Sequence, residues 1–265
     1  MTPSPLELRL LGHPVILLNG HPLENLPSRT AEALLVFLAL QPHPVSREFL
    51  AELLWSERTQ DQALANLRSI LSSLRKAVGD YVLATRQNVA FNRALPFLLD
   101  VEQFEQTIER LPLQRQTAPL SPETATQLET ALAHYRGDFL EGFYLREGRG
   151  FEEWAALLRE RLRRLAHLGF RARVRHALEN GNYREGIQAS EKLIAIDPYD
   201  EEARRQLMTL LLRNGNRNTA LKQYETLRKL LHEDLGVEPA PATRAVYERV
   251  RALTFPPPLR PAPRP

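Results

Sequence analysis

Leu6, Leu8 and Leu10 alternate with Glu7 and Arg9, the period of a half-buried strand. Gly12-His13-Pro14 interrupts it, and Val15 to Leu18 reads as a second strand. Asn19-Gly20 is a two-residue hairpin signal, because both central positions of such a turn need positive φ. A small antiparallel sheet is therefore predicted at the start of the chain. The period then changes from two to about 3.6. Ser28 is placed to cap a first helix with Glu32 in its early turns; Ala31, Leu34, Leu35 and Leu38 form its buried stripe, and Pro42 and Pro44 end it. Ser46 is placed to cap a second helix that buries Phe49, Leu50, Leu53 and Leu54. Thr59-Gln60-Asp61-Gln62 has the form of a capping box and predicts a third helix to about Val78, stopped by Gly79. Its apolar positions are Leu64, Leu67, Ile70, Leu71, Leu74 and Val78. Tyr81 to Thr85 and Val89 to Asn92 predict two short strands around the turn Arg86-Gln87-Asn88.

Sheet, three helices and hairpin is the order of a winged helix, assigned to residues 1–96. From Asp100 the pattern is helical almost throughout, with a proline-containing break at Pro112 to Pro122, a cap and first position at Ser121-Pro122, and a long helix over about Phe151 to Glu179. A period of 34 follows: Gly181-Asn182 returns as Gly215-Asn216, Ile187 as Leu221, Glu191 as Glu225 and Leu193 as Leu227. That length is one tetratricopeptide (TPR) unit of two antiparallel helices, and Asp197-Pro198 stands where such units turn. The predicted fold class is thus mainly α with small β elements: a winged-helix domain, then an all-α TPR-like helical repeat domain at 97–254. Six of the last ten residues are proline, so 255–265 reads as an extended linker or tail.

Composition narrows the function classes. Apolar residues make up 43% of the 265, enough for a core. Cysteine is absent, which excludes disulfides, thiolate metal sites and a thiol nucleophile and fits a reducing, cytoplasmic setting. The longest apolar run, Ala33 to Leu40, is far below the roughly 20 residues of a membrane span. Met1-Thr2-Pro3-Ser4-Pro5 has no secretory pattern. A net charge of +3 does not by itself announce nucleic acid, so any DNA site must come from local charge placement.

The third helix has that placement. Stepping 100° per residue from Leu67 puts Leu64, Leu71, Leu74 and Val78 together. Gln62, Ala65, Ser69, Ser72, Ser73 and Lys76 fall opposite, with Arg68 and Arg75 on one flank and Asn66 on the other. Gln62 to Val78 contains no acid and three cations. Phosphate contact needs such asymmetry, and small and amide side chains allow close approach to base edges; an ordinary solvated face would mix signs. Arg86 at the hairpin tip can enter a minor groove or meet a phosphate, and reads equally as an exposed turn cation. Arg29 and Arg47, at two helix starts, read equally as phosphate contacts or exposed arginines. A second basic row, Arg159, Arg161, Arg163, Arg164, Arg171, Arg173 and Arg175, is offset only by Glu160. The reading favoured there is a solvated face whose stems cover apolar surface, with DNA backbone or an acidic partner as the alternative.

The sequence carries no phosphate-binding glycine loop, zincin motif or nucleophile elbow, and its seven histidines lack zinc-ligand spacing. Glu152 and Glu153 beside Trp154 read as surface acids; Trp55 and Trp154 read as core or interface anchors. No enzyme activity, cofactor or metal is expected.

Several runs together resemble a known family. They are Leu8-Arg9-Leu10-Leu11-Gly12, Leu26-Pro27-Ser28-Arg29, Val45-Ser46-Arg47-Glu48-Phe49-Leu50 through Trp55, Ala65-Asn66-Leu67-Arg68 and Leu74-Arg75-Lys76-Ala77-Val78. Further along come Tyr135-Arg136-Gly137-Asp138-Phe139-Leu140, Asp197-Pro198-Tyr199-Asp200-Glu201, Ala220-Leu221-Lys222-Gln223-Tyr224 and Leu235-Gly236-Val237-Glu238-Pro239. Over roughly Leu6 to Leu253 the chain resembles the bacterial transcriptional activator domain proteins, the SARP-type regulators, with an OmpR/PhoB-type winged helix. The resemblance implies sequence-specific binding of double-stranded DNA by the third helix and wing, activation near RNA polymerase, and a homodimer on direct repeats. Some relatives carry further ATPase and repeat domains. Two departures are Ser72-Ser73, where winged helices of this type often place arginines, and Val89-Ala90-Phe91, where a glycine usually precedes the last strand. A different reading is a protein-interaction or regulatory module of a larger ATPase, kept open by nine Lys+Arg against eight Asp+Glu in residues 1–95.

Overall fold

The computed structural model describes residues 5–23, 26–113 and 120–252. The opening Met1 to Ser4 and the proline-rich run 255–265 lie outside the described residues. The chain is mainly helical with small sheets. It packs as two compact units, residues 1–110 with 133–165, and residues 111–132 with 166–265. Among the described residues no helix is long and apolar enough to cross a membrane.

In the first unit, β1 (Leu6–Arg9) pairs antiparallel with β2 (Val15–Leu18), and β2 with β3 (His21–Pro22). Asn19 and Gly20 both take positive φ, 59° and 79°, as a tight right-twisting hairpin requires. Ser28 caps α1 (Arg29–Ala39) by accepting the Ala31 N–H at 3.2 Å. From Ala33 to Ala39 every residue of α1 is buried, so the helix is enclosed on all sides where a single stripe is expected. After β4 (Val45–Ser46), Ser46 caps α2 (Arg47–Leu54) through the Phe49 N–H at 3.1 Å. Leu50, Leu53 and Leu54 are buried there, but Phe49, expected in the core, is 50% exposed. Leu50 and Leu53 lie at the spacing that faces the core, and Phe49 sits a step to the side of it.

Helix α3 spans Gln60–Val78 with Gly79 as its stop, but Thr59 makes no side-chain cap hydrogen bond, so the expected capping box does not form. Leu67, Leu71, Leu74 and Val78 are buried, while Leu64 and Ile70, on the margins of the stripe, are half-buried. A hairpin of β5 (Val82–Ala84) and β6 (Asn88–Phe91) follows, and β4 adds to it as a third strand.

The pattern gave no sign of β7 (Phe97–Leu99), which lies parallel to β1 in the order β3-β2-β1-β7. Its partner is some 90 residues away and its three residues are all apolar, so no alternation marks it. Asp100 opens α4 (Asp100–Arg110) and locks this edge. Although only 5% exposed, its carboxylate accepts the Leu10 N–H at 2.8 Å, the Leu11 N–H at 3.1 Å and an Arg136 N–H at 2.7 Å. The 135–140 run clamps the same place. The Gly12 N–H donates to the Asp138 carbonyl at 2.9 Å, and the Leu140 N–H donates to the Leu10 carbonyl at 2.9 Å. Gly12 has φ +107°, and a Cβ there would press on the Arg136 Cβ at 3.3 Å.

Helix α6 (Arg149–Asn180) belongs to the first unit up to Leu165 and to the second thereafter. The second unit also holds most of α5 (Pro122–His134), with α7 (Tyr183–Ile196), α8 (Glu201–Arg213), α9 (Arg217–Leu235) and α10 (Pro241–Ala252). The 34-residue period is visible in its backbone. Gly181 and Gly215 both take positive φ, 74° and 81°. The Asn182 N–H reaches back to the Ala177 carbonyl at 3.0 Å, and the Asn216 N–H to the Leu211 carbonyl at 2.8 Å. Both are the long backward bond of a helix end closed by glycine. Leu193 and Leu227 are fully buried at equivalent places. Leu207, Met208, Leu211, Ala220, Tyr224 and Val250 form one core of α8, α9 and α10.

Candidate nucleic-acid interface

Helix α3 divides into two faces because its apolar residues recur at the helical period and its polar ones fill the remainder. Asn66, Arg68, Ser69, Ser72, Arg75 and Lys76 are exposed, and Ser73 is half-buried. No ion pair or side-chain hydrogen bond to the described residues engages Arg68, Arg75 or Lys76. The single acid, Asp61, lies in the first turn and the basic Arg75 and Lys76 in the last, each at the end where the helix dipole favours it. From Gln62 to Lys76 the acid-free face is about 21 Å long at 1.5 Å per residue.

Beside it, β5 packs against α3. The β5–β6 turn closes through Thr85, whose N–H donates to the Asn88 carbonyl at 2.8 Å and whose hydroxyl oxygen accepts the Asn88 N–H at 3.0 Å. Arg86 is exposed at this tip. Arg47 supports the same turn: its Nε donates to the Thr85 carbonyl at 2.9 Å and its backbone N–H to the Gln87 carbonyl at 2.9 Å. Arg47 is thus engaged with the hairpin through both its side chain and its backbone amide. Arg29 is turned elsewhere, with its guanidinium 5.8 Å from the centre of the Phe143 ring and one N–H donating to the Tyr144 carbonyl at 3.4 Å. The structure therefore gathers the α3 residues on one face, links Arg47 to the Arg86 turn, and leaves Arg29 outside that grouping.

The second basic row behaves differently. Arg159 donates to the Phe139 carbonyl at 2.9 Å. Arg161 lies 2.9 Å from the Glu105 carboxylate, without hydrogen-bond geometry, and donates to Glu109 at 3.0 Å. Arg163 grips Asp138, and the guanidinium holds that carboxyl below the usual carboxylate range. In the second unit Arg171 pairs with Glu202, and Arg173 with Glu129 and Glu185. Most of the row is consumed by ion pairs and carbonyls, where a solvated face was the favoured expectation. Apart from Glu160, which pairs with Arg163, the acids that answer it lie up to 56 residues away in sequence, and no local pattern reveals them.

Residues 99–251 match the family described as Bacterial transcriptional activator domain. The chain is 29% identical over 254 residues to Regulatory protein AfsR of Streptomyces griseus, which covers 94% of this chain and 25% of that protein. It is 28% identical over 254 residues to Transcriptional regulator RedD of Streptomyces coelicolor, covering 93% and 70%. Transcriptional regulatory protein EmbR of Mycobacterium bovis is 27% identical over 254 residues, covering 92% and 63%. The chain thus spans a quarter to under two thirds of the AfsR and EmbR lengths. The fold resembles that of Mycobacterium tuberculosis EmbR, solved in complex with a low affinity phosphopeptide, with a TM-score of 0.61 at 23% identity over 93% of this chain.

Proposed function

This chain belongs to the bacterial transcriptional activator domain family, the SARP-type transcription regulators, and from that premise we propose that it binds specific double-stranded DNA through α3 and the β5–β6 hairpin. In this reading residues 1–96 are a winged-helix module, with α3 in the major groove and Arg86 of the hairpin at the flanking backbone or minor groove. Residues 97–254 are a TPR-like module for dimerisation and contacts with RNA polymerase, and 255–265 are a linker or tail. The observation that carries the reading is the α3 face: three cations with no partner among the described residues, no acid from Gln62 to Val78, and small or amide side chains between them. Phosphate contact requires cations that the fold has not already neutralised. Base-edge contact requires side chains that permit close approach.

Arg68, Arg75 and Lys76 serve the phosphates, with Asn66, Ser69, Ser72 and Ser73 facing the bases. Arg47 contributes mainly by holding the hairpin turn, and Arg29 joins only if its contact with Phe143 is released. Two copies bind head to tail on direct repeats spaced about 10–11 bp, one helical turn, so that both α3 helices enter from one side of the duplex.

The test is selection of duplexes from a random pool by the full chain, followed by fluorescence anisotropy. Affinity is expected to fall by orders of magnitude between about 50 and 200 mM salt. Inserting about 5 bp between the repeats should abolish paired binding, and about 10 bp should partly restore it. Absence of binding at about 50 mM salt would remove the DNA reading and favour a protein-interaction module.

A further inference from the structure

Helices α2 and α6 of the first unit both line a groove of about 690 Å³. Gly150 permits their close approach: a Cβ there would lie 3.2 Å from the Leu53 Cα and 3.2 Å from its carbonyl oxygen. The floor is aromatic. The ring of buried Phe37 meets that of Trp154 edge to face with centroids 4.9 Å apart, and Phe49 lies 6.1 Å from Phe37. Trp154 is braced in turn by Phe139 and Phe151, with centroids at 5.9 and 5.3 Å, so the floor is held by rings of the same unit. Two large apolar side chains stand in solvent at the rim, Phe49 at 50% exposure and Leu157 at 75%. Apolar exposure gathered on one groove marks a binding surface, where single scattered residues would not. Three charged residues line it, Glu52, Arg149 and Glu153. Arg149 donates to Glu153 at 2.9 Å, so those two answer each other. Glu52 is exposed and has no ion pair or hydrogen bond among the described residues.

These features select a class of ligand. Glu52 would repel a phosphate or a carboxylate, and a wholly apolar ligand would leave it unanswered. An aromatic or apolar body that carries one ammonium satisfies both parts of the groove. The body packs on the rings, and the cation meets the carboxylate and the face of the indole. The volume of about 690 Å³ falls within the roughly 300–1,000 Å³ of small-ligand sites, which combine apolar walls with a few placed polar groups. We propose that the groove of Phe37, Phe49, Trp154 and Leu157 is a binding site for a small organic cation with an aromatic or apolar body, its charge held by Glu52. The proposal is independent of the DNA reading, which makes no use of these residues.

Three fluorescent probes of one shape and different charge test this: 9-(aminomethyl)anthracene, 9-anthracenemethanol and 9-anthracenecarboxylate, each titrated by anisotropy against the full chain without DNA. The ammonium should saturate one site per chain and bind about three- to tenfold more tightly than the alcohol, the combined effect of one exposed charge pair and one cation–π contact. The carboxylate should bind most weakly. Glu52→Gln should bring the ammonium down to the alcohol and leave the alcohol unchanged. Phe49→Ala should weaken both severalfold and in equal measure. Both side chains are at least half exposed, so circular dichroism should match the wild type. Equal affinity for ammonium and alcohol, a preference that survives Glu52→Gln, or no saturable binding of the ammonium would overturn the proposal. Self-association of the free chain that Leu157→Glu abolishes, with no probe bound, would also overturn it and give the groove to a second copy.

Discussion

Helix α3 and helix α6 are both rich in cations, and the fold treats them in opposite ways. On α3, Arg68, Arg75 and Lys76 project from an exposed face and meet no partner among the described residues. On α6, Arg159, Arg161, Arg163, Arg171 and Arg173 are bound by carbonyls and carboxylates contributed from distant positions. A run of arginines is therefore not a site in itself. It becomes one where the fold withholds the counter-charge, and a cation already paired inside the molecule must break that pair before it meets a phosphate. The row with more arginines is the paired one, and the shorter row is the one left without a partner among the described residues.

The strongest way to test the contrast is through the core that presents each face. Leu71 on α3 is 3% exposed and Leu162 on α6 is fully buried. Leu71→Ala and Leu162→Ala should each cost about 2–5 kcal/mol by chemical denaturation, through lost burial and the cavity left behind. A cost below about 1 kcal/mol for Leu71→Ala alone would mean that the buried stripe does not hold the α3 face in place.

Next in size is the α6 clamp. Asp138 accepts from Arg163 and from the Tyr135 hydroxyl, the latter at 3.1 Å. Asp138→Ala should cost about 1.5–3 kcal/mol, the usual worth of hydrogen bonds to charged groups. Because Arg163 lowers the native pKa of Asp138, its contribution is fully present above the unfolded value of about 3.9 and is lost as pH falls through the native one. The wild type should lose this advantage over the variant in acid and keep it at pH 7. DNA affinity per folded molecule should not change; a fall in affinity would break the division between structural and functional arginines.

These contrasts also mark what the sequence made legible. The Leu6–Leu8–Leu10 alternation, the Ser28 and Ser46 caps, the α3 stripe and the Gly181/Gly215 repeat are local patterns, and the structure contains each of them. What stayed hidden depends on distant partners. The parallel strand Phe97–Leu99 needs β1 to exist, and Asp100 is explained only by Leu10, Leu11 and Arg136. Phe49 falls on the margin of the α2 stripe and stands half in solvent, because the period fixes a direction and not whether a neighbour fills it. For the candidate interface, the composition of α3 was legible, whereas the engagement of Arg47 with Thr85 and of Arg29 with Phe143 was not.

On α3 itself, Arg68→Ala and Arg75→Ala should each weaken binding to a selected duplex by about 1–3 kcal/mol and reduce the salt slope by about one. Stability should stay within about 0.5 kcal/mol, since both side chains are exposed and unpaired among the described residues. Wild-type affinity in both variants would remove α3 as the reader and leave the two helices alike.

The smallest effect should come from Arg161, and its smallness is informative. Its side chain is 52% exposed and faces Glu105 and Glu109 across 2.9 and 3.0 Å. Exposed pairs of this kind are worth about 0.2–1 kcal/mol, so Arg161→Ala should cost no more than that at pH 7. Burial raises the Glu105 pKa, and Arg161 partly offsets the rise. Removing Arg161 should push it higher, and this part of the loss should appear only where Glu105 is ionised. As pH falls and Glu105 takes up a proton, its attraction to Arg161 disappears, and the two denaturation curves should draw together in acid. DNA affinity should be unchanged at every salt concentration. If Arg161→Ala instead lowered affinity and the salt slope as Arg68→Ala is expected to, the paired row would also serve phosphates, its ion pairs would have to open on binding, and the distinction between the two helices would fail.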